Sequence, residues 1–325
     1  MEWLLGFLLE HNLFTTVIVV MIGLWLYAYF TCGVCKSKAR MDGKTVIITG
    51  ANSGIGKQTA LDLAKRGARV ILACRNLEKA NAAKDEISQA TGSKNVIVKQ
   101  LDVSLLSSVR RFAEEINKSE KRLDVLIHNA GAAVRGRNVT SEGLQTVWAT
   151  NHYGPFLLTH LLIDLMKKTG KSRIIFVSSY LHNYGCLHLK TPNPTEETSN
   201  RILYQNTKFA SVMFSNELAR RLEGTGITAN SLHPGVIFTS IWADNPWYML
   251  LFVTVFNLYF KSEEQGAQTT IYLAVSEEVE GVSGKYFYDC KEHLPAKKSR
   301  DVEYAKKFWE VCEEVVKLKP TDPHI

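Results

Sequence analysis

From Lys44 onward, short β-rich runs alternate with longer helical stretches, and this alternation restricts the fold more than any other feature of the chain. Lys44–Thr49, Arg69–Ala73, Val96–Gln100, Leu123–His128, Arg173–Ser178, Thr228–Leu232 and Gly284–Tyr288 read as strands. Several are almost wholly apolar, as parallel strands covered on both faces must be. Helical patterns fall between them, near 54–67, 76–91, 105–118, 141–169, 201–223 and 262–275. Parallel neighbours need right-handed crossovers, so the expected architecture is α/β, a Rossmann-like doubly wound parallel sheet flanked by helices. No linker divides it, and residues 41–325 read as one domain.

Residues 1–40 stand apart as an anchor with a basic flank. Leu13–Phe30 runs 18 residues without a charge. As a helix it would span about 27 Å, close to the thickness of a hydrocarbon core. Trp3, Trp25, Tyr27 and Tyr29 supply interfacial aromatics, and Lys36, Lys38 and Arg40 follow at once. Bases on that flank predict a single-pass transmembrane helix with a cytosolic body, in the endoplasmic reticulum or on the lipid droplet. A cleaved signal peptide is the alternative, but it lacks a basic start, and Thr31-Cys32-Gly33 is a poor cleavage site. Asn117-Lys-Ser and Asn138-Val-Thr are glycosylation sequons, and a glycan on either would reverse the topology.

The net charge is +7, and residues 1–30 hold Glu2 and Glu10 but no base, which leaves +9 on the rest. That excess suits an anionic membrane surface or a phosphate-bearing cofactor. Nucleic acid is not an expected partner, since no recognised module or basic-aromatic stripe is present. Six cysteines lie at irregular spacings, as free thiols in a reducing compartment do. Cys32 and Cys35 form a C-x-x-C with no second pair or histidine cluster, so no metal is expected. Their place beside the apolar segment admits S-acylation, two free thiols being the plainer reading.

Thr49-Gly50-Ala51-Asn52-Ser53-Gly54-Ile55-Gly56 follows the first strand and opens the first helix. Glycines there permit a tight turn and close backbone approach, and the helix N-terminus attracts a pyrophosphate. The second strand ends in Leu72-Ala73-Cys74-Arg75-Asn76, without the acid that would hold a ribose 2′-hydroxyl. Arg75 suits a 2′-phosphate through paired charge-assisted bonds, so NADP(H) is expected over NAD(H). Lys57 is a candidate helper, with a solvated helix residue as the plainer reading. Tyr204-Gln-Asn-Thr-Lys208 places a phenol and an ammonium on one helix face. A neighbouring ammonium favours the phenolate, bringing proton exchange closer to neutrality. Such pairs also arise by chance on exposed helices.

The sequence resembles the short-chain dehydrogenase/reductase family from about Lys44 to Tyr288. The Gly-rich turn matches Thr49–Gly56, the adenine-side acid matches Asp102, and the N-N-A-G element appears as His128-Asn129-Ala130-Gly131. Asn151 matches the helix asparagine, Ser178-Ser179 the serine ending the fifth strand, and Pro234-Gly235 with Thr239 the turn beside the nicotinamide. By that resemblance Gly50, Asn52, Ser53, Gly54, Ile55, Gly56, Arg75, Asp102, Asn129, Tyr204, Lys208, Pro234, Gly235 and Thr239 bind cofactor. Hydride passes between nicotinamide and substrate carbon while Tyr204 gives or takes the hydroxyl proton. Lys208 holds the ribose and depresses the tyrosine pKa, Ser179 binds the carbonyl oxygen, and Asn151 fixes a water. NADP is mostly reduced in the cytosol, which makes reduction the expected direction. His128 departs from the motif and reads as a satisfied strand-end histidine.

Ser179 lies 25 residues before Tyr204, farther than the family's common spacing. The stretch between, Tyr180–Arg201, reads as a polar loop near the substrate mouth. Retinol-dehydrogenase-like members share this spacing and an N-terminal anchor, so the likeness is to them. Pro246–Phe260 is an uncharged, aromatic-rich run of 15 residues within an apolar lid at about 240–260. Beside a tethered body, it suggests a substrate drawn from the bilayer, retinoid-like first, with steroid, isoprenoid or fatty-aldehyde substrates as alternatives. A buried helix or a contact between two copies in a homodimer is the competing reading of that run. A catalytically silent cofactor-binding scaffold at the membrane is the competing function.

Overall fold

The computed structural model describes residues 32–133, 138–197, 199–237 and 261–325, together with helical Thr15, Thr16, Val19, Val20 and Gly23. The lid expected over 240–260 therefore lies outside the described residues, as does the anchor expected over 13–30 apart from those five. Among those residues no helix is long and apolar enough to cross a membrane.

The first half reads β1 (Thr45–Thr49), α1 (Gly54–Lys65), β2 (Arg69–Cys74), α2 (Leu77–Thr91), β3 (Val96–Gln100), α3 (Leu106–Ser119) and β4 (Val125–His128). The second half reads α4 (Gly154–Thr169), β5 (Ser172–Val177), α5 (Asn200–Arg221), β6 (Ile227–His233), α6 (Glu263–Val275), β7 (Tyr286–Tyr288), β8 (Lys291–His293) and α7 (Val302–Val315). The sheet order is β3-β2-β1-β4-β5-β6-β7-β8, parallel throughout except for the last pair. The reversal of direction between β1 and β4 makes the topological switch point, where doubly wound sheets bind ligands at the carboxyl ends of their strands.

Strand alternation divides the core in two. Ile47, Ile71, Leu126, Ile174 and Phe176 point to the side covered by α3, α4, α5 and α7. Val46, Ile48, Val70, Leu72, Ile127 and Ile175 point to the side covered by α1, α2 and α6. Caps stop the surface helices: Asn76 Oδ1 accepts the Lys79 amide at 2.9 Å, and Ser262 and Gln265 close a capping box on α6. α5 is buried on nearly all sides from Leu203 to Leu218, so its residues meet the protein interior rather than water.

Three features differ from the sequence reading. The helix expected from 141 starts only at Thr146, after a turn held by a Val139–Gln145 bridge, and passes through a π-helical turn at Ala149–Tyr153. β8 forms a hairpin with β7 through Asp289 (φ 51°) and Cys290 (φ 58°), without the glycine such a turn favours. α7 closes the chain, its Trp309 ring 5.1 Å from Phe156 and 5.3 Å from Phe214.

At the start of α4, a Cβ on Gly154 would stand 2.0 Å from the Val103 carbonyl oxygen. Helix and strand-end loop meet there with no room for a side chain. Gly154→Ala is therefore expected to destabilise the protein by about 3 kcal/mol, measured by denaturant unfolding.

Candidate active site

Thr49 ends β1, and the turn that follows is shaped by Gly50 (φ 66°) and Gly54 (φ 60°), both in left-handed backbone. A Cβ on Gly50 would stand 3.0 Å from Ala130 Cα, and one on Gly56 would stand 2.5 Å from Asn129 Nδ2. Asn129 ties the end of β4 to this turn. Its Nδ2 donates to the carbonyls of Thr49 (2.9 Å) and Gly50 (3.2 Å), and its amide donates to Thr49 Oγ1 at 3.0 Å. Asn129 thus shapes the loop. Asn52 lies half-buried in the turn, Ser53 is the N-cap of α1 without a side-chain cap bond, and Ile55 packs toward α6. No acid sits in the first turn of α1. Free amides and the positive helix end therefore face the loop, an arrangement suited to phosphate.

Cys74 is a residue sequence reasoning missed. Burial pushes its thiol up to about 11, and the sulfur accepts hydrogen bonds from the amides of Ala51 and Asn52. It stays a neutral thiol and braces the glycine loop from the end of β2.

Arg75 follows, with its side chain 77% exposed and one nitrogen 3.9 Å from Asp102 Oδ2. Asp102 is held at the end of β3, where its Oδ1 accepts from the Ser104 amide (3.0 Å) and hydroxyl (2.6 Å). Asn76 is committed to capping α2, so the end of β2 offers a cation and no carboxylate. Lys57 pairs with Glu86, which supports the plainer reading of it as a helix-surface residue.

The second group gathers at the ends of β4 and β5. Lys208 is 4% exposed, and its ammonium donates to the Val177 carbonyl at 2.8 Å. Ser178 donates to the Lys208 carbonyl at 2.8 Å and is occupied there. Ser179 accepts the Leu181 amide at 3.2 Å, and its hydroxyl lies beside the Tyr204 phenol, close enough to lower its pKa. Asn151 sits in the π turn, a distortion frequent at functional sites. Its Oδ1 accepts from the Ala132 amide at 2.8 Å, and its Nδ2 donates to the Ala132 carbonyl and to Thr207 Oγ1, each at 3.0 Å. A Cβ on Gly131 would lie 3.6 Å from Lys208 Nζ and 3.7 Å from Asn151 Oδ1, so these groups converge on one spot.

Electrostatics here differ in part from the sequence reading. Burial pushes the Tyr204 phenol up to about 12, and the Ser179 hydroxyl offsets part of that rise. Burial also holds Lys208 down to about 8. The ammonium lies 5.5 Å from the Tyr204 ring centroid, in cation–π range of the ring. At neutral pH the pair is therefore a protonated phenol beside an ammonium, the correct state for giving a proton.

His182, also missed, lies in the extra stretch and fixes Ser179 from behind. Its Nδ1 donates to the Ser179 carbonyl (2.7 Å), and its Nε2 accepts the Ala296 amide (3.2 Å). Both ring nitrogens are committed, which sets the tautomer. The stretch opens with a 3₁₀ turn, Tyr180–Tyr184, whose two tyrosines are exposed. Beyond it, the chain is tied down by Asn193, which bonds Gln145 and Gly143, and by the Tyr304 hydroxyl on the Leu187 carbonyl. His128 is buried, bonds Thr159 Oγ1 at 2.9 Å and stacks on Phe176 at 4.8 Å, a structural histidine. Gly235 of the Pro234-Gly235 turn has φ 97°, while Thr239 lies outside the described residues. Among the described residues no group of acids, histidines and cysteines could hold a metal. A groove of about 760 Å³ lined by Arg173 and Asn216 lies at the opposite ends of β5 and β6, away from these side chains.

This fold and this gathering of side chains define a nicotinamide-dependent oxidoreductase of the Rossmann class. The chain belongs to the short-chain dehydrogenase family, whose "short chain dehydrogenase" model matches residues 44–247. It is 43% identical to human retinol dehydrogenase 13 over 297 residues, covering 90% of each chain. Mouse retinol dehydrogenase 12 is 41% identical over 286 residues, which cover 88% of this chain and 90% of the relative. Human retinol dehydrogenase 14 is 44% identical over 295 residues, 86% of this chain and 88% of the relative. Among solved structures, an uncharacterised protein of Mycobacterium paratuberculosis superposes with a TM-score of 0.71 at 31% identity, covering 88% of this chain and 98% of that one. The chain is accordingly an oxidoreductase acting on CH–OH groups.

Proposed function

We propose that the protein is a membrane-anchored, NADP(H)-dependent oxidoreductase that reduces an aldehyde or ketone on a lipophilic, retinoid-like substrate. The observation that carries this reading is the Tyr204 phenol set beside the Ser179 hydroxyl and a buried Lys208, at the carboxyl ends of the strands. The cofactor reading is supported by the left-handed glycine turn, packed too closely on Ala130 and Asn129 for side chains, and by the open N-terminus of α1. Arg75 and the absence of an acid at the end of β2 favour the 2′-phosphate of NADP.

When bound, the nicotinamide supplies the hydride. Ser179 holds the carbonyl oxygen, Tyr204 gives that oxygen its proton, and Lys208 carries the positive charge that favours the resulting phenolate. Asn151 positions the backbone of Ala132 and, through Thr207, the turn that carries Tyr204 and Lys208, and a water held there would reprotonate Lys208. Thr239 completes the nicotinamide side of this scheme. Retinol dehydrogenase relatives, the exposed Tyr180 and Tyr184 and the aromatic run Pro246–Phe260 support a lipophilic substrate. The uncharged run Leu13–Phe30 and its basic flank support a membrane anchor, with the body in the cytosol at the endoplasmic reticulum or lipid droplet.

Steady-state kinetics of Arg75→Ala with both cofactors test the reading. Charge-assisted hydrogen bonds of about 1.5–3 kcal/mol imply a KM for NADPH raised about 10–100-fold, with the KM for NADH nearly unchanged. Equal effects on the two cofactors would contradict the assignment of Arg75 to the 2′-phosphate.

A further inference from the structure

Residues Cys32–Arg40 cross the body as an extended strap before β1. Gly33, Cys35, Ser37 and Ala39 turn inward, while Val34, Lys36, Lys38 and Arg40 face out. The Cys35 amide donates to Gln268 Oε1 at 3.1 Å, and Arg66 donates to the carbonyls of Ser37 (2.9 Å) and Ala39 (3.0 Å). At its upstream end the strap meets Asp289, just after β7. The Gly33 amide donates to Asp289 Oδ1 at 3.0 Å. A Cβ on Gly33 would stand 2.1 Å from the Asp289 carbonyl oxygen, so only glycine fits.

The same Asp289 oxygen pairs with Lys261, and the two side chains are 19% and 14% exposed. Lys261 in turn holds the Pro234-Gly235 turn. Its amide donates to the Val236 carbonyl at 2.9 Å, and its Cδ lies 2.5 Å from where a Cβ on Gly235 would be. Its ammonium lies 4.8 Å from the Tyr288 ring centroid, and that ring stacks on His233 at 5.2 Å. A continuous set of contacts therefore runs from the strap through Asp289 and Lys261 to the turn assigned to the nicotinamide. Lifting Gly33 would admit water to a largely buried ion pair and weaken it.

We infer that Asp289 and Lys261 are positioning residues that couple the seating of the N-terminal strap to nicotinamide cofactor affinity. This inference rests on the cofactor reading above. Because the strap leads directly from the uncharged run at 13–30, the tether is part of the cofactor site's support rather than a passive leash.

The test uses the full chain in detergent or nanodiscs, with NADPH affinity read by nucleotide fluorescence and kcat read at saturating NADPH. Gly33→Ala and Lys261→Met are expected to raise the Kd and KM for NADPH about tenfold, within the usual range of coupling between sites, and to leave kcat within about twofold. Lys261→Arg, which keeps the ion pair, is expected to restore affinity. Ser37→Ala, which cuts the bonds to Glu277 and to the Ala39 amide farther along the strap and leaves Gly33, Asp289 and Lys261 untouched, is expected to bind as wild type does. Where Gly33→Ala does not accumulate, Asp289→Asn gives the same readout at nearly constant side-chain volume. Wild-type affinity in Gly33→Ala and Lys261→Met, or kcat falling in step with affinity, overturns the coupling alone. A wild type that binds neither NADPH nor NADH overturns the cofactor reading and the coupling with it.

Discussion

Tyr204→Phe is expected to lower kcat for carbonyl reduction by about 10³-fold, while NADPH binding changes by no more than about twofold. Phenylalanine keeps the ring and its packing and removes only the hydroxyl beside Ser179. At pH 7 that hydroxyl is protonated, because burial raises it to about 12, so it donates without first having to be charged. Lys208, held near 8 by burial, is an ammonium at the same pH and in the proposed mechanism stabilises the phenolate left behind. Single-turnover reduction under saturating NADPH separates chemistry from product release. A Tyr204→Phe protein that turned over at the wild-type rate would remove the phenol from the mechanism.

Acidification is expected to destabilise the fold steeply below pH 6.5, through four histidines buried in neutral form. Burial holds His128, His152 and His233 down to about 3 and His160 to about 4. His152 lies within an aromatic cluster, 5.0 Å from Phe308, and its Nε2 meets Cys312 Sγ at 3.1 Å. The folded values lie below the unfolded one. As pH falls through 6.5, the unfolded chain therefore takes up protons that the folded chain refuses, and stability drops. By pH 5.5 each histidine costs about 1.4 kcal/mol, and together they remove a large part of an ordinary 5–15 kcal/mol. Urea unfolding at pH 7.5 and 5.5 measures this directly. A stability unchanged between those two pH values would mean that these rings are not held neutral.

The parallel sheet was legible because its strands are covered on both faces, which leaves runs such as Val46–Ile48 and Val70–Ala73 with no polar position to mislead. Each strand end then places a motif at the same rim. Asn151 and Lys208 meet near Gly131 because β4, β5 and α5 converge there, a consequence of topology rather than of sequence spacing. β8 was illegible because Asp289-Cys290 takes left-handed backbone without glycine. α7 was readable in principle, since Ala305, Phe308, Trp309 and Cys312 fall on one helical face. The supports of the site left no signal, because the roles of Cys74 and His182 lie in bonds to backbone atoms distant in sequence. Charge gave a partial answer. Lys208 stands over the Tyr204 ring as the spacing implies, but burial, which no spacing reports, dominates the phenol.

The central claim is that hydride from a nicotinamide and a proton from Tyr204 reach the same carbonyl. The most direct measurement incubates the full-length protein with NADPH deuterated at the transferable C4 position and a long-chain or retinoid aldehyde. Mass spectrometry of the alcohol then reads the transfer. The account predicts one deuterium on the carbinol carbon with wild-type protein and almost none with Tyr204→Phe. Bound NADPH that delivers no label to any aldehyde or ketone in a lipophilic panel would contradict it.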